Sequence, residues 1–374
     1  MPAPGRVLVV APAPPPYGGM AIQAQQLCKL LRADGIDVSL FPSNFPLPER
    51  LRIVDRLPGV RTVFRSLLIW PALWRQARQV DVVHVFAASW WYFFLVVYPA
   101  VLAGRFCGKK VVLNYRGGEA GRFLEWFGWA TGPAFRLAHA ITAPSEFLKE
   151  VIGKRFGASV SIVPNILDSR AFRFRPRTSI QPKMLVTRHL EPAYDIESVV
   201  MAFRRVQERY PEASLWIVGT GSQERHLRDL VSTWNLGGVR FLGNLAHSDL
   251  PDIYDQCDIY LNASRIDNFP GALLEASAAG LVVVSTAAGG IPFIYQQEKT
   301  ALLVEPGDWQ GLALAAQKVL ETPALALDLA TAAVALARAC DWREVRESLY
   351  RAYGFPSVSA FSGLDKGAIS CELP

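Results

Sequence analysis

The sequence lacks the short motifs that mark several large enzyme classes. It contains no Asp-x-Asp, no His-x-x-x-His and no Cys-x-x-Cys, so neither a metal-held diphosphate nor a zinc site is predicted. Gly-x-Ser-x-Gly and Gly-x-x-x-x-Gly-Lys-Ser/Thr are absent, which argues against a serine hydrolase and a P-loop enzyme. The full Gly-x-Gly-x-x-Gly fingerprint is also missing, and a dinucleotide site is not supported. We therefore expect no metal and no cofactor.

Cysteine is scarce, with five residues among 374, and the five are far apart in the sequence. An odd number of dispersed cysteines favours a reducing compartment over a disulfide scaffold. The first apolar run, residues 6–11, has the length of a strand and is too short for a signal peptide. We expect a cytoplasmic protein, and peripheral attachment to the inner face of the cytoplasmic membrane is compatible with this expectation.

Positive charge is concentrated in the first half of the chain. Residues 1–175 hold 22 Lys and Arg against 10 Asp and Glu, whereas residues 176–374 hold 17 against 23. A basic half favours an anionic partner such as a phosphorylated lipid or an anionic membrane surface. Nucleic acid is not predicted, because no zinc knuckle and no Lys/Arg run longer than a pair occurs. The densest arginine segment, residues 170–177, is interpreted as a solvated linker.

The apolar runs predict two successive α/β domains. Short β-branched runs alternate with helical stretches, which is typical of parallel sheets covered on both faces. In the first half the predicted strands are residues 7–10, 38–41, 82–86, 111–115, 140–142 and 161–163. In the second half they are residues 184–187, 215–218, 239–242, 259–262, 282–286 and 302–304. The predicted helices include residues 21–32, 146–156, 196–210, 223–234, 249–256, 271–279 and 310–320.

These elements predict two doubly wound, Rossmann-like domains that face each other across a cleft. The domains are assigned to residues 1–175 and 176–341, and residues 357–374 are predicted to be a tail. The uncharged segment of residues 82–104 has the length of a membrane span. We favour a strand, a loop and a helix that begins at Trp90. Its aromatic cluster, residues 90–94, is left open between core packing and membrane contact.

Ligands of open parallel sheets bind beyond the carboxyl ends of the strands. Six features of the sequence fall there, and each has a plain structural alternative as a turn or a surface side chain. They are Gly18-Gly19, Arg116-Gly117-Gly118, Arg188, Gly219-Thr220-Gly221, Asp267 and Gly289-Gly290. Their convergence predicts a site in the cleft.

Asp267 and Glu275 form the most informative pair in the sequence. They are separated by seven residues, and a helix is predicted to begin between them at Gly271. The unpaired amides of its first turn form an anion site between two carboxylates, which suits a sugar diphosphate. The alternative is an N-cap aspartate and a surface glutamate. Arg188 is a candidate phosphate ligand because its guanidinium can bind two oxygens.

Together these residues resemble the family-four retaining glycosyltransferases of the GT-B fold. The resemblance runs from about Val7 to Tyr353, and Asp267-x7-Glu275 is similar to the family's Glu-x7-Glu motif. It implies that Glu275 binds the ribose, that Asp267 and the amides around Phe269 meet the donor sugar, and that Leu245 lies near the base. It also implies diphosphate contacts for Arg188 and for the glycine loop Gly18-Gly19. Residues 342–356 would form a last helix that crosses back to the first domain.

Two departures from the family pattern are visible. The lysine of the phosphate motif is missing, and Tyr194 lies near its place. The histidine of the first-domain site is replaced by Arg116, which we hypothesise supplies the missing cation.

The resemblance implies a metal-independent, retaining glycosyltransferase with catalytic contributions from Arg116, Asp267 and Arg188. Its donor would be a nucleotide-diphosphate sugar, and its acceptor a glycan or lipid-linked glycan of exopolysaccharide or cell-envelope synthesis. Three alternatives stay open: a nucleotide-sugar epimerase, a non-catalytic nucleotide-sugar-binding protein, and a protein anchored by residues 82–104.

Overall fold

A computed structural model describes residues 5–15, 18–45 and 58–356, with side chains from residue 68 onward in the last range. The predicted tail, residues 357–374, lies outside the described residues.

The first sheet has six parallel strands in the order β2-β1-β3-β4-β5-β6. Its strands are β1 (Val7–Ala11), β2 (Val38–Pro42), β3 (Val82–Ala87), β4 (Lys110–Tyr115), β5 (Ala140–Ala143) and β6 (Val160–Ile162). The central strands β1 and β3 are buried at every position, because helices cover both faces of the sheet.

The second sheet repeats this arrangement in the order β12-β11-β10-β7-β8-β9. Its strands are β7 (Lys183–Thr187), β8 (Ser214–Val218), β9 (Val239–Gly243), β10 (Ile259–Asn262), β11 (Val282–Thr286) and β12 (Leu302–Val304). All twelve predicted strands are present with ends shifted by at most one residue, and the predicted α/β fold class is confirmed.

Helices connect the strands of both sheets. In the first half they are α1 (Gly19–Ala33), α2 (Pro58–Ala77), α3 (Tyr98–Phe106), α4 (Ala120–Leu137) and α5 (Glu146–Phe156), with a π-helical segment, Phe93–Val97, leading into α3. In the second half they are α6 (Ile196–Gln207), α7 (Glu224–Thr233), α8 (Leu250–Asp255), α9 (Gly271–Ala279), α10 (Trp309–Glu321), α11 (Pro323–Arg338) and α12 (Trp342–Tyr353). Helices α2, α4 and α11 were not among the predicted helices.

The last helix, α12, packs on the first sheet although it follows the second in sequence. Leu349 and Tyr353 are buried in the same cluster as Val9 of β1. Trp342 Nε1 and Tyr350 Oη both donate to Asp34 Oδ2, at 2.9 and 2.7 Å. These contacts tie the end of the described chain to the first sheet.

The interpretation of residues 170–177 as a solvated linker is wrong for Arg177. Its side chain is fully buried and donates to the carbonyl groups of Ala279 and Cys257, the latter at 2.9 Å. Its Nε lies 3.5 Å from Asp258 Oδ1. Arg177 therefore satisfies carbonyl groups inside the second domain, which is why a charged residue is tolerated there.

Residues 82–104 do not form one membrane-spanning helix. Their first part is β3, a central strand of the first sheet, and the following helix is a separate element. In the described part of the chain, no single helix is long and apolar enough to cross a membrane. Helices α10 and α11 are long and apolar enough only when they are counted together, and the chain bends by 105° between them.

Candidate functional site

The carboxyl edges of the two sheets meet at a shared crevice. Asn268, in the loop after β10 of the second sheet, donates from Nδ2 to the carbonyl oxygens of Arg116 and Gly117 at 3.2 and 2.5 Å. Those two residues follow β4 of the first sheet. The predicted site residues therefore lie at a junction between the two sheets.

Arg188 and Asp267 form an ion pair at this junction. Arg188 Nη2 lies 2.7 Å from Asp267 Oδ2, and both side chains are about nine-tenths buried. Arg188 Nε also donates to Asn262 Oδ1 at 3.3 Å. Burial lowers the pKa of Arg188, but Asp267 and three tyrosines outweigh it, so the pKa is raised and the guanidinium stays charged. Both residues were predicted at this edge of the second sheet, but their ion pair was not.

Tyr194 lies in the short 3₁₀ turn Pro192–Tyr194, beside the predicted phosphate ligand. The guanidinium carbon of Arg188 lies over its ring, 5.2 Å from the centroid. A cation over an aromatic face is stabilised by the ring quadrupole. The residue near the place of the family's lysine therefore orients the neighbouring cation through its ring.

Glycines allow the loops of the second sheet to pack closely. Gly219 has φ +132°, and a Cβ there would meet the carbonyl of Arg188. Gly289 has φ +54°, and a Cβ there would meet the carbonyl of Asp267. The amide of Gly290 donates to that same carbonyl at 2.7 Å. The pair Gly289-Gly290 therefore supports the Asp267 loop. Because the Gly290 N–H already donates to Asp267, that amide is not free to bind a ligand, contrary to its prediction as a site residue.

Helix α9 begins at Gly271, with Pro270 rather than Asp267 at the N-cap and no side-chain cap bond. A Cβ built on Gly271, Gly18 or Gly19 would meet nothing within 4 Å. The two helix starts that the sequence assigns to the diphosphate, α1 and α9, are therefore open to a ligand. Their first-turn amides provide anion-binding groups.

Glu275 lies one turn inside α9, and its side chain is 14% exposed. Tyr254 Oη donates to its Oε2 at 2.9 Å, and His247 Nε2 lies 3.3 Å from its Oε1. The hydrogen bond to Glu275 is the main cause that raises the pKa of His247. Burial, followed by the Glu275 charge, raises the pKa of Tyr254 well above its usual range. Leu245 packs on the adjacent core cluster.

Arg116 is part of a chain of polar side chains that crosses the first domain. Arg116 Nη2 donates to Asn165 Oδ1, and Asn165 Nδ2 donates to the carbonyl of Phe269 at 3.0 Å. Arg116 Nη1 lies 3.5 Å from Asn114 Oδ1. The guanidinium also lies over the ring of Phe86, 4.9 Å from the centroid. Burial lowers the pKa of Arg116 to about 10, so it remains a cation at neutral pH.

The chain continues from Asn114 to the last helix. Asn114 Nδ2 donates to His84 Nε2 at 3.1 Å, and His84 Nδ1 lies 2.8 Å from Tyr353 Oη. Burial and, secondarily, Arg116 lower the pKa of His84 to about 3, so the imidazole is neutral. Because Nε2 accepts a hydrogen bond, Nδ1 carries the proton and donates to Tyr353. His84, Asn165 and Asn268 are site residues that sequence reasoning missed.

Asn268 carries one further signal. Asn268 is 7% exposed, and its Oδ1 is buried with no hydrogen-bond partner among the residues that the structure describes. The amide orientation is fixed because Nδ2 faces two carbonyl oxygens. A buried acceptor of this kind is unusual, since buried polar atoms are normally paired.

Two doubly wound domains with their carboxyl edges facing one crevice define the GT-B class of glycosyltransferases. Residues 17–170 match the family model described as Glycosyltransferase Family 4, and residues 169–335 match Glycosyl transferases group 1. A glycogen synthase of Mycobacterium tuberculosis (strain CDC 1551 / Oshkosh) is 27% identical over 93% of this chain and 94% of its own length.

Solved structures show the same fold. Anabaena HepE in complex with UDP and glucose aligns with a TM-score of 0.69 at 16% identity, over 93% of this chain and 99% of that one. Sucrose-phosphate synthase from Thermosynechococcus elongatus aligns with a TM-score of 0.71 at 19% identity, over 96% and 99%. The chain belongs to glycosyltransferase family four and is a hexosyltransferase-type enzyme of the GT-B fold.

Proposed function

We propose that this enzyme transfers a sugar from a nucleotide-diphosphate sugar to a glycan or lipid-linked acceptor, with retention of configuration and without a metal. The observation that carries the proposal is the convergence of Arg188, Asp267, the start of α9 and Glu275 at one edge of the second sheet. Two related structures support the donor class, since HepE was solved with UDP and with UDP-glucose.

In this proposal the donor diphosphate binds at the first turn of α9 and near Arg188. Amides and a permanent cation stabilise the negative charge that develops on the leaving phosphate. Glu275 accepts hydrogen bonds from the ribose hydroxyls. Its carboxylate is placed for this by Tyr254, whose raised pKa keeps the phenol a donor. Asp267 faces the donor sugar.

The transfer is proposed to occur on one face of the sugar. The acceptor hydroxyl attacks the anomeric carbon from the side of the leaving group, the bond from that carbon to the phosphate oxygen breaks, and this oxygen takes the acceptor proton. The acceptor contacts the basic first domain, where Arg116 supplies a cation next to the Phe269 loop. We place this activity at the cytoplasmic membrane face, in exopolysaccharide or cell-envelope synthesis.

Donor binding is tested by thermal shift with UDP-, GDP- and ADP-sugars. A ligand at about 100 times its dissociation constant stabilises the protein by about 2.7 kcal/mol. Glu275→Ala is expected to abolish the shift. Glu212→Ala is the matched control, because Glu212 is exposed and precedes β8 at the opposite edge of the sheet. An unchanged shift for Glu275→Ala would remove Glu275 from the ribose role.

The reaction class is tested with the donor that gives the largest shift. NMR of the product gives its anomeric configuration, and an inverted product contradicts the proposed mechanism. Incubation without acceptor distinguishes the alternative class, because epimerised donor would identify an epimerase. Transfer in the presence of EDTA tests the proposed independence from metal.

A further inference from the structure

The first domain exposes an unusual group of aromatic side chains. The large hydrophobic side chains that are exposed in the described part of the chain include four tryptophans and two phenylalanines. All four tryptophans and one of the phenylalanines lie on or next to the helices beside β3 and β4. We call this group the aromatic face; its members are Trp70, Trp91, Phe106, Trp126 and Trp129. Trp91 and Trp129 are 76% and 78% exposed, so they gain nothing from the core below them.

The helices that carry these side chains contact one another. Tyr98 Oη donates to the carbonyl of Ala130 at 2.6 Å, which joins α3 to α4. The rings of Trp74 and Phe106 lie 5.9 Å apart, which joins α2 to α3. Trp90 packs at 6.0 Å against Trp126 and so connects the loop after β3 to α4. The aromatic face therefore spans three adjacent helices.

A rigid core lies beneath the aromatic face. Phe93, Phe123 and Phe135 are buried. The ring centroid of Phe93 lies 5.7 Å from that of Phe123 and 5.8 Å from that of Phe135. Four members of the cluster at residues 90–94 pack in this core, and Trp91 alone is exposed. The structure thus assigns most of that cluster to core packing and leaves Trp91 for another contact.

The charge around the aromatic face is positive. Exposed arginines on or directly after these helices are Arg75, Arg78, Arg105, Arg122 and Arg136. Among the described side chains of α2, α3 and α4, the single carboxylate is Glu125.

Two of these arginines cover aromatic rings. The guanidinium of Arg122 lies 4.5 Å from the centroid of Trp126, and that of Arg78 lies 5.6 Å from the centroid of Trp74. Aromatic rings mixed with arginines are the composition that binds the interface of an anionic bilayer.

The aromatic face begins at the cleft. Trp90 and Trp91 follow the carboxyl end of β3, and α4 starts just after Arg116-Gly117 at the carboxyl end of β4. Trp90 Nε1 donates to Glu119 Oε2 at 2.7 Å, which fixes these two segments together. A surface that binds the aromatic face would therefore lie next to the acceptor side of the site.

We propose that the aromatic face is a membrane-docking surface that holds the first domain on a bilayer rich in anionic phospholipid. The indole rings enter the interfacial region, and the arginines contact lipid phosphates. This inference deepens the proposed function and rests on it for one point, the lipid-linked nature of the acceptor. The bilayer then presents that acceptor at the edge where Arg116 lies.

The test is co-sedimentation of the full chain with vesicles. The probes are vesicles of phosphatidylcholine alone and of phosphatidylcholine mixed with phosphatidylglycerol. We expect binding to the mixed vesicles, weak binding to the neutral ones, and loss of binding at high salt, because salt screens charges at the surface.

Two variants and their controls locate the surface. The double variant Trp91→Ser/Trp129→Ser should lower the partition coefficient about tenfold or more, since both indoles would leave the interface. Arg122→Gln should lower it about fivefold. Leu314→Ser and Arg225→Gln remove an exposed apolar side chain and an exposed arginine from the second domain, and should change binding less than about twofold. Thermal melting verifies that each variant is folded.

Several results would overturn the proposal. Equal sedimentation of the double variant and the wild type would exclude the aromatic face, and equal binding to neutral and mixed vesicles would exclude anionic lipid as the partner. If the double variant instead dissociates a dimer in analytical ultracentrifugation, the face is a contact between copies. Donor thermal shift without vesicles is measured in parallel. It should be unaffected by these variants, so failure of docking and failure of the proposed function are distinguished.

Discussion

The ion pair between Arg188 and Asp267 allows a structural role to be separated from a catalytic one. Two single substitutions, Arg188→Met and Asp267→Asn, and their combination form a double-mutant cycle. Both side chains are about nine-tenths buried and 2.7 Å apart, so each single substitution leaves one buried charge without its partner. The double variant leaves neither charge and keeps the approximate volume of both side chains.

The cost follows from this burial. Removing one partner of a buried ion pair destabilises by about 3 kcal/mol, whereas replacing both partners is often close to neutral. Arg188→Met also loses its contact with the Tyr194 ring and the bond to Asn262, so it should be the more harmful single change. We therefore expect the double variant to be more stable than either single variant, so that the coupling energy exceeds the cost of a single substitution, about 3 kcal/mol. Each kcal/mol lowers the melting temperature of a domain of this size by about 2–4 °C.

Activity should not follow stability. Loss of a preorganised group that stabilises developing charge costs about 10²–10³ in rate, and the double variant lacks that cation as fully as the single one. The assay is kcat/KM for donor turnover beside the melting temperature of each variant. If the double variant regains activity together with stability, Arg188 acts only as the partner of Asp267, and its assignment to the phosphate is wrong.

Three further predictions concern single side chains. Arg177→Ala should destabilise the protein by about 3 kcal/mol in denaturant unfolding because the buried carbonyl groups of Ala279 and Cys257 lose a donor and a cavity is left. The exposed Arg173→Ala should change stability by less than about 0.5 kcal/mol. Arg116→Ala should lower kcat/KM at least about tenfold more than Arg116→Lys, which keeps the charge, and equal losses would count against a charge role. His247 has a raised pKa because it bonds to Glu275, so its ion pair stabilises the fold below pH 6.5 and is lost as the pH rises through that raised pKa. Donor affinity, measured by titration calorimetry, should therefore increase from about pH 6 to about pH 8 as that side chain releases the carboxylate, and His247→Gln should remove this dependence.

The strands were predictable because their physical signal is local. A run such as Val82–Ala87 is apolar at nearly every position, as a strand covered on both faces must be. Helix α11 was missed because its alanine-rich sequence shows little contrast between its faces, and its placement depends on packing against α9. Helix α4 carries Pro133 in its interior, a residue that normally argues against a helix.

The edge on which the site lies was predictable for the same reason. Parallel strands place their carboxyl ends at one edge of the sheet, so Arg188 after β7 and Asp267 after β10 were predicted at the same edge. That β7 and β10 are adjacent strands is shown by the structure. That the two pair with each other was not predictable. A distance of 2.7 Å depends on side-chain directions that are fixed by Asn262, Tyr194 and the close packing of Gly289.

Arg177 shows why composition misled. A segment rich in arginine is predicted to be solvated. The side chain of Arg177 nevertheless points inward, because it donates hydrogen bonds to the buried carbonyl groups of Ala279 and Cys257. Those carbonyl groups come from the end of α9 and the turn before β10, far from Arg177 in sequence. Only the tertiary arrangement shows that a buried guanidinium has enough acceptors there.

The two departures from the family pattern acquire a common physical explanation. Tyr194 is a phenol and does not supply the charge of a lysine, but its ring supports the guanidinium of Arg188. Arg116 brings a cation from the other sheet, and Asn165 attaches it to the carbonyl of Phe269. Asn268 also donates to the carbonyl groups of Arg116 and Gly117. Three hydrogen bonds therefore cross between the domains and hold Arg116 beside residues 268–269. In the proposed mechanism the charge of Arg116 reaches the donor only while the two domains are in contact, so sugar transfer depends on closure of the cleft.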